Sequence, residues 1–345
     1  DKKEVNRKRC DMEKKVTIVE LAEMAGGSTA TVSRIINNTG KVNEDTKKKV
    51  LELIEKYNYK PNMIAKSLKM NKSNMVGFIV PHINSPYYAQ IFYETELIAR
   101  EKGYTLMLCN SESDTQLESE ILNAFIATQV RAIVFMGGRL DDSLCDPKFL
   151  REIENVNKSI PVISCVDVPD LECTHIFQEE EESTDQLIRY MSEKGYQDIL
   201  LLGGYSHVRT TGVRRNKIIK YAEKYGLNIR DEIIDCDYSA DGGNIAMKEL
   251  IQKGDLPQAI ICINDLVAMG ALNELYENNL RVPEDVAIIG YDNLATSEYI
   301  YPGITTIGCN YKEYSKAIVK AIEDIETNTI NNVKIPTELI VRGTT

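Results

Sequence analysis

Between Thr17 and Asn38 the chain gathers small hydroxyl and amide donors, Thr17, Ser28, Thr29, Thr31, Ser33 and Asn38, with the short Ala30 around one guanidinium, Arg34. Donors of this kind fix register on phosphate oxygens, and short side chains leave room for base edges to approach a helix. The elements that position them carry start signals. Thr17-Ile18-Val19-Glu20 has the capping-box spacing, in which hydroxyl and carboxylate satisfy free helix amides reciprocally. A helix through Met24 follows, then the turn Ala25-Gly26-Gly27, then Ser28 as cap of a second helix. Asn43, with Glu44 and Asp45 behind it, opens a third helix whose apolar face is expected to be Val50, Leu51, Ile54 and Tyr57. This is a helix-turn-helix arrangement. Its second helix suits a major groove, with Val32 and Ile35 inward and Thr29 and Ala30 placed to meet base edges. Thr17, Thr31, Ser33 and Asn38 are the expected phosphate contacts. Capped helices and surface lysines also occur in any small three-helix unit, so a plain structural module stays open on these signals alone.

Other chemistries find little support. The eight cysteines are scattered without a Cys-x-x-Cys pair, and there are three histidines, so neither a metal nor a cofactor is expected. Cys109, Cys165, Cys262 and Cys309 lie in or beside apolar runs and read as small buried hydrophobes of a reducing compartment. There is no Gly-x-Gly-x-x-Gly after the first strand, no Gly-x-x-x-x-Gly-Lys-Ser/Thr and no Gly-x-Ser-x-Gly elbow, so an enzyme is not expected. No apolar run approaches the roughly 18 residues of a membrane span. A cytoplasmic protein is expected, with translation starting at Met12 and residues 1–15 as a flexible tail.

The 345 residues are 43% apolar and 27% charged, which excludes a disordered chain and fits two or three domains. The net charge of −11 argues at first against nucleic acid. Residues 1–72, however, hold 17 Lys+Arg against 10 Asp+Glu, a net +7, leaving 24 against 42, a net −18, for residues 73–345. A basic head is joined to an acidic body.

The stretch Tyr59-Lys60-Pro61-Asn62-Met63-Ile64-Ala65-Lys66-Ser67-Leu68-Lys69, with Thr31-Val32-Ser33-Arg34 and Ile36-Asn37-Asn38, resembles the LacI/GalR family of bacterial repressors. The resemblance implies a hinge helix that folds only on operator DNA, Leu68 wedging open a central base step in the minor groove with Ala65 and Lys69 beside it. A helix this short, carrying Lys66, Lys69 and Lys72, needs a partner to order it, and unstacking a base step costs a few kcal/mol that the bent duplex offsets. Gly27 departs from the family, which commonly has valine there, and should weaken the seal between helices by about 1 kcal/mol. Thr29-Ala30 differs from other members at the base-reading pair, so the operator sequence does not transfer.

From Met75 onward apolar runs alternate with helical stretches. Strand candidates are 76–80, 105–109, 132–136, 162–166, 199–202, 233–236, 260–263 and 286–289. Helical segments are 87–102, 115–128, 183–194, 212–225, 241–253, 265–279 and 311–326, giving two open α/β sheets. Gly203-Gly204 and Gly242-Gly243 read as strand-to-helix turns. The family resemblance continues through Asn264-Asp265, Ile289-Gly290-Tyr291-Asp292-Asn293 and Leu339-Ile340-Val341-Arg342, and implies a periplasmic-binding-protein-like body. It assigns effector contacts to Asp167, Arg214, Tyr238, Asn264 and Asp292. Two carboxylates, an amide and a guanidinium engage vicinal hydroxyls in pairs, and a tyrosine covers the apolar face of a sugar. Asn264 and Asp292 could instead satisfy loop amides. Tyr87 and Tyr88 either line the pocket's other wall or serve the core. Val168 replaces the aromatic that purine-binding members stack on a base, Lys217-Ile218 replaces a Gly-aromatic pair, and Gln178 to Glu182 reads as a solvated helix start.

The expected organisation is a tail (1–15), an all-α helix-turn-helix head (16–60), a hinge helix and linker (61–73), and an α/β body of two open parallel-sheet subdomains (74–345). The expected function is a homodimeric repressor of a carbohydrate-use operon, bound to pseudo-palindromic double-stranded DNA and released by a sugar or sugar-phosphate effector. No heptad helix follows the last strand candidate, so a tetramer is not expected. A corepressor-type member, in which a ligand or carrier protein strengthens DNA binding, is the alternative; a solute-binding protein would lack the head.

Overall fold

The computed structural model describes residues 16–36, 39–40, 42–59, 73–327 and 330–345. It divides into two compact units, 1–72 and 73–345. The first contains α1 (Ile18–Ala25), α2 (Thr29–Ile36) and α3 (Glu44–Lys56). The capping box forms: the Thr17 amide donates to Glu20 Oε2 at 2.8 Å and the Glu20 amide to Thr17 Oγ1 at 3.3 Å. Gly26 closes α1 in the left-handed region, at φ 72°. Leu21, Ala22, Ala25, Val32, Ile35 and Val50 make the core. The expected face of α3 needs correction: Leu51 and Tyr57 are 48% and 41% exposed. Val50, Leu53 and Ile54 face inward, following the i, i+3, i+4 rule, and Leu51 lies about 100° away around the helix.

The second unit is built on eleven strands: β1 (Met75–Val80), β2 (Thr105–Asn110), β3 (Ala132–Phe135), β4 (Val162–Ser164), β5 (Thr174–Glu179), β6 (Asp198–Leu202), β7 (Asn228–Ile234), β8 (Ala259–Cys262), β9 (Ala287–Tyr291), β10 (Thr305–Cys309) and β11 (Asn332–Ile340). Their order is β2-β1-β3-β4-β5-β11-β10-β9-β8-β6-β7. Every pairing is parallel except β10 with β11. β11 serves both halves: Val333 registers with Ile176 of β5, and Leu339 with Ile307 of β10. Two lobes result. Lobe 1 packs α4 (Pro86–Glu101), α5 (Thr115–Ala127), α6 (Pro147–Asn157) and α12 (Tyr311–Asp324) on its sheet, through cores that include Phe78, Ile91 and Tyr314 on one face and Phe125 and Phe135 on the other. Lobe 2 carries α7 (Glu181–Lys194), α8 (Arg209–Tyr225), α9 (Ala240–Lys253), α10 (Asp265–Glu277) and α11 (Ala295–Tyr299).

The expected fold class is therefore observed, with additions. β5, β10, β11, α6 and α11 were not expected, and β7 starts five residues before its candidate, at Asn228 rather than Ile233. Gly203 and Gly204 do form a turn, at φ 90° and 77°. Gly242 and Gly243 do not: both lie in the first turn of α9. A Cβ on Gly243 would run into the Val267 carbonyl of α10, and one on Gly270 of α10 into the Ala240 carbonyl of α9. The two glycines thus let α9 and α10 touch backbone to backbone.

At Gly27 the nearest atom to an added Cβ is Thr31 Cβ, at 4.0 Å. Gly270→Ala should lower the unfolding midpoint in calorimetry of the full chain, by an overpacking penalty of about 1–3 kcal/mol. Gly27→Ala should not, and should add about 0.4–1 kcal/mol by restricting the unfolded chain. Equal midpoints for Gly270→Ala and wild type would contradict the close helix contact.

Candidate DNA-reading head and effector cleft

In the head, Ala30 and Arg34 are exposed one helical turn apart on α2, opposite Val32 (0% exposed) and Ile35 (7%). Thr29 is half-buried at the helix start, and Ser33 is half-buried. Ser28 accepts from the Thr31 amide at 3.2 Å, and the two hydroxyls lie 3.0 Å apart. The Thr17 hydroxyl lies 3.0 Å from Glu20 Oε2. Two of the expected phosphate donors, Thr17 and Thr31, are thus also engaged at helix ends. Asn38, Ala65, Leu68 and Lys69 lie outside the described residues.

In the body, Arg214 on α8 makes a bidentate ion pair with Glu180: Nη2 lies 2.5 Å from Oε1 and Nε 3.2 Å from Oε2. Its Nη1 donates to the Ile263 carbonyl at 2.6 Å, and the guanidinium stacks on the Tyr291 ring at 3.9 Å. Burial alone lowers the basicity of Arg214; the Glu180 carboxylate outweighs it and raises it. Glu180 is 7% exposed, so the expectation of a solvated acidic helix start is corrected. It is the crossover residue between β5 and α7, which turns it inward. Its neighbours are also paired: Glu179 with Lys334 Nζ at 2.7 Å, and Glu181 with the Tyr221 hydroxyl at 2.7 Å.

Asp292 follows β9 with φ 98°, and its carbonyl accepts from the Tyr311 hydroxyl at 2.7 Å. Its carboxylate makes no hydrogen bond with a described residue. Burial pushes this carboxyl up to about 7; Arg214 opposes the shift, while Asp265 and Glu180 add to it. Tyr88 lies within electrostatic range of Asp141, Asp292 and Tyr238, and burial raises its phenol first, these charges adding. The Tyr87 ring stands 5.1 Å from Tyr88 and 6.0 Å from Tyr311, and Gln178 Nε2 donates to its hydroxyl at 3.0 Å. The Tyr238 hydroxyl pairs with Thr211 Oγ1 at 2.9 Å. Asn264 caps α10 by accepting from the Val267 amide at 2.8 Å and donates to the Tyr238 carbonyl at 3.0 Å, so both ends of its amide are engaged internally. Six of the seven expected residues thus gather where the lobes meet. Asp167 is exposed, beside Lys334, and no described interaction joins it to the other six. Val168 is 3% exposed and belongs to the lobe 1 core.

The lobes are also clasped. Asp141, just after the turn Gly138–Leu140, accepts from the Thr210 amide at 2.9 Å and the Thr210 hydroxyl at 2.7 Å. Ser143 donates to the His207 carbonyl through its amide at 2.8 Å and its hydroxyl at 2.6 Å. Sequence reasoning passed over Asp141, Glu180 and Tyr311. One signal was present: α8 follows Val208, which cannot cap it, so its first amides needed an outside acceptor.

Residues 17–62 match the model for bacterial regulatory proteins of the lacI family, and residues 188–345 that for a periplasmic binding protein-like domain. The chain is 34% identical over 293 residues to the HTH-type transcriptional repressor PurR of Pasteurella multocida (strain Pm70), covering 84% of this chain and 86% of that one. In structure it is similar to a Lac repressor dimer bound to operator and the anti-inducer ONPF, with a TM-score of 0.85 and 24% identity, covering 96% of this chain and 99% of that one. A LacI transcriptional regulator from Alkaliphilus metalliredigens QYMF complexed with D-xylulofuranose matches with a TM-score of 0.67 and 25% identity, over 79% and 99%.

Asp292 titrates near 4 in an unfolded chain and at about 7 here. The folded state therefore keeps the proton across that window. The group's contribution to stability is full below the lower value and is lost as pH rises through the upper one. Asparagine cannot ionise, so Asp292→Asn should gain in melting temperature over wild type as pH rises from about 4 to about 7. A difference that stays constant with pH in paired melting curves would remove the buried carboxylate from the account.

Proposed function

The chain belongs to the lacI family of bacterial regulatory proteins and is a DNA-binding transcriptional repressor governed by a small-molecule effector; from that premise we propose that the effector is a carbohydrate held in the cleft. The observation that carries the carbohydrate is Asp292, a half-buried carboxylate that makes no hydrogen bond with a described residue and lies within electrostatic range of Tyr88 of the opposite lobe. Such a carboxylate accepts a pair of hydroxyls, and tyrosine faces cover the apolar side of a sugar ring. The sugar bound by the Alkaliphilus neighbour supports this reading. A purine is the second reading, favoured by the relatives named PurR.

In this proposal Arg214, Tyr238 and Asn264 frame the lobe 2 wall, Tyr87 and Tyr88 the lobe 1 wall, and Asp167 stands at the rim on the resemblance alone. In the head, Thr29, Ala30 and Arg34 read bases, Thr17, Ser28, Thr31, Ser33 and Asn38 hold phosphates, and Ala65, Leu68 and Lys69 enter the minor groove. The protein acts as a cytoplasmic homodimer on a pseudo-palindromic site. Ligand changes the angle between lobes, shifts the dimer near residues 75–100 and reorients the hinge at 61–73, which weakens operator binding. Such a shift is limited to the ligand's differential affinity for the two states.

Two measurements test the proposal. In fluorescence anisotropy with an operator duplex, Leu68→Ala should weaken binding by about tenfold or more while ligand-induced thermal shifts stay intact. Unchanged operator affinity would sink the hinge assignment. Asp292→Ala should bind operator and fail to release it on addition of the sugar that raises the wild-type melting temperature. A thermal shift of the full chain by a purine, with none from any mono- or disaccharide, would replace the effector class.

A further inference from the structure

The carbohydrate reading leaves open whether the ligand carries a charge, and the inference that follows rests on that reading. Two features of the cleft could hold an anion. One is the Arg214 guanidinium; the other is the start of α8, whose 17 residues direct their first amides toward lobe 1. Both are already filled by the protein's own carboxylates. Glu180 takes Arg214 through two hydrogen bonds, at 2.5 and 3.2 Å. Asp141, reaching across from lobe 1, takes the Thr210 amide and hydroxyl at 2.9 and 2.7 Å.

Two further cations in the first half of α8 also face carboxylates. Arg215 turns away from the cleft to Asp235 at 2.8 Å and to the Gly203 carbonyl at 2.7 Å. Lys217 Nζ lies 3.9 Å from Glu179 Oε1. Arg209, whose Nε makes no hydrogen bond, lies in electrostatic range of Asp141. Arg214 and Arg215 are thus held by Glu180 and Asp235, Lys217 shares Glu179 with Lys334, and Asp292 adds a further carboxylate near Arg214. A phosphate or carboxylate entering here meets Glu180, Asp141 and Asp292, and the guanidinium best placed to receive it, that of Arg214, is already taken by Glu180. A neutral polyol meets acceptors for its hydroxyls.

We propose that Glu180, backed by Asp141, is the specificity determinant that closes this cleft to anionic ligands, so that the effector is an uncharged sugar and not a sugar phosphate.

The test uses the full chain in phosphate-free buffer, with thermal shift and calorimetric titration. The probes are inorganic phosphate and the pairs ribose/ribose 5-phosphate, glucose/glucose 6-phosphate and fructose/fructose 6-phosphate. Wild type should respond to none of the phosphorylated members. Glu180→Gln leaves Arg214 without its partner, and the variant should bind inorganic phosphate or a sugar phosphate at least about tenfold more tightly than wild type. Glu180→Asp should keep the rejection. A wild-type chain that prefers a sugar phosphate to its parent sugar overturns the proposal. So does a Glu180→Gln variant that still binds operator yet gains no affinity for any phosphate. If that variant fails to bind operator through misfolding, Asp141→Asn, which removes the negative charge set against the start of α8, carries the same criterion. Should no neutral sugar bind wild type while Glu180→Gln gains phosphate binding, the carbohydrate reading falls and the charge gate stands.

Discussion

β11 belongs to two sheets at once, and the rest of the body follows from that constraint. Its first five residues pair with β5 and its last four with β10, so one continuous strand ties the lobes together. Pro336, with no amide hydrogen to donate, sits where the strand leaves one sheet for the other. The chain crosses between lobes there, at Glu180 and at Asn310. The Thr337 hydroxyl joins two of these crossings, donating to the Glu179 carbonyl at 2.8 Å and lying 2.6 Å from the Ser183 hydroxyl. Lobes connected in this way can pivot but cannot part. Glu180 occupies a pivot, which explains why a glutamate in a run of four is buried when its neighbours are not.

A buried charge must be paired, and removing one partner typically costs about 3–5 kcal/mol. Two of the body's buried pairs serve different ends. In lobe 1, Arg139 is 1% exposed and bonds Glu118 and Glu152, each at 2.6 Å. That pair anchors the turn that presents Asp141, two residues on, to the other lobe. In lobe 2, Glu180 and Arg214 fill the cleft's strongest electrostatic position. The net −18 of residues 73–345 is therefore not a uniform acidic coat. Six of its cations lie on α8, and Arg214, Arg215, Lys217, Lys220 and Lys224 there are each within an ion-pair distance of a carboxylate.

What could be read from residue order follows how each element announces itself. Thr17-Glu20, Ser28 and Asn43 are local caps whose chemistry is complete within a few residues, and all three form as read. The apolar runs of β1 after Met75, of β3 and of β8 are buried throughout, so hydrophobicity alone marks them. β11 alternates exposed and covered positions, Asn-Val-Lys-Ile-Pro-Thr-Glu-Leu-Ile, and contains a proline; its strand character depends on two partners distant in sequence. β5, Thr-His-Ile-Phe-Gln-Glu, is similar. Gly242-Gly243 looked like a turn because two glycines usually free the backbone, whereas here they remove bulk between helices. The same limit applies to the cleft. Arg214 and Asp292 carry their chemistry in their residue type, but the partner that decides what Arg214 can bind lies 34 residues away. Residue type alone could not separate a solvated glutamate from one turned inward at a crossover.

The clasp sets the scale on which an effector must act. Asp141 with Thr210 and the Arg209 amide, and Ser143 with His207, make five hydrogen bonds between lobes, each worth about 0.5–1.5 kcal/mol net. Moving a two-state equilibrium from 1:99 to 99:1 requires about 5.5 kcal/mol of differential binding, which is of the same order. The clasp and the ligand therefore compete or cooperate as near equals. Tyr87 and Tyr88 stand on lobe 1 and Asp292 on lobe 2, so a ligand small enough to touch both adds to the clasp and holds the lobes together. One too large for the gap must break the clasp to enter, and then favours the opposite lobe angle. The sign of the response is thus a matter of ligand size against a fixed set of interlobe bonds, as its charge is a matter of Glu180.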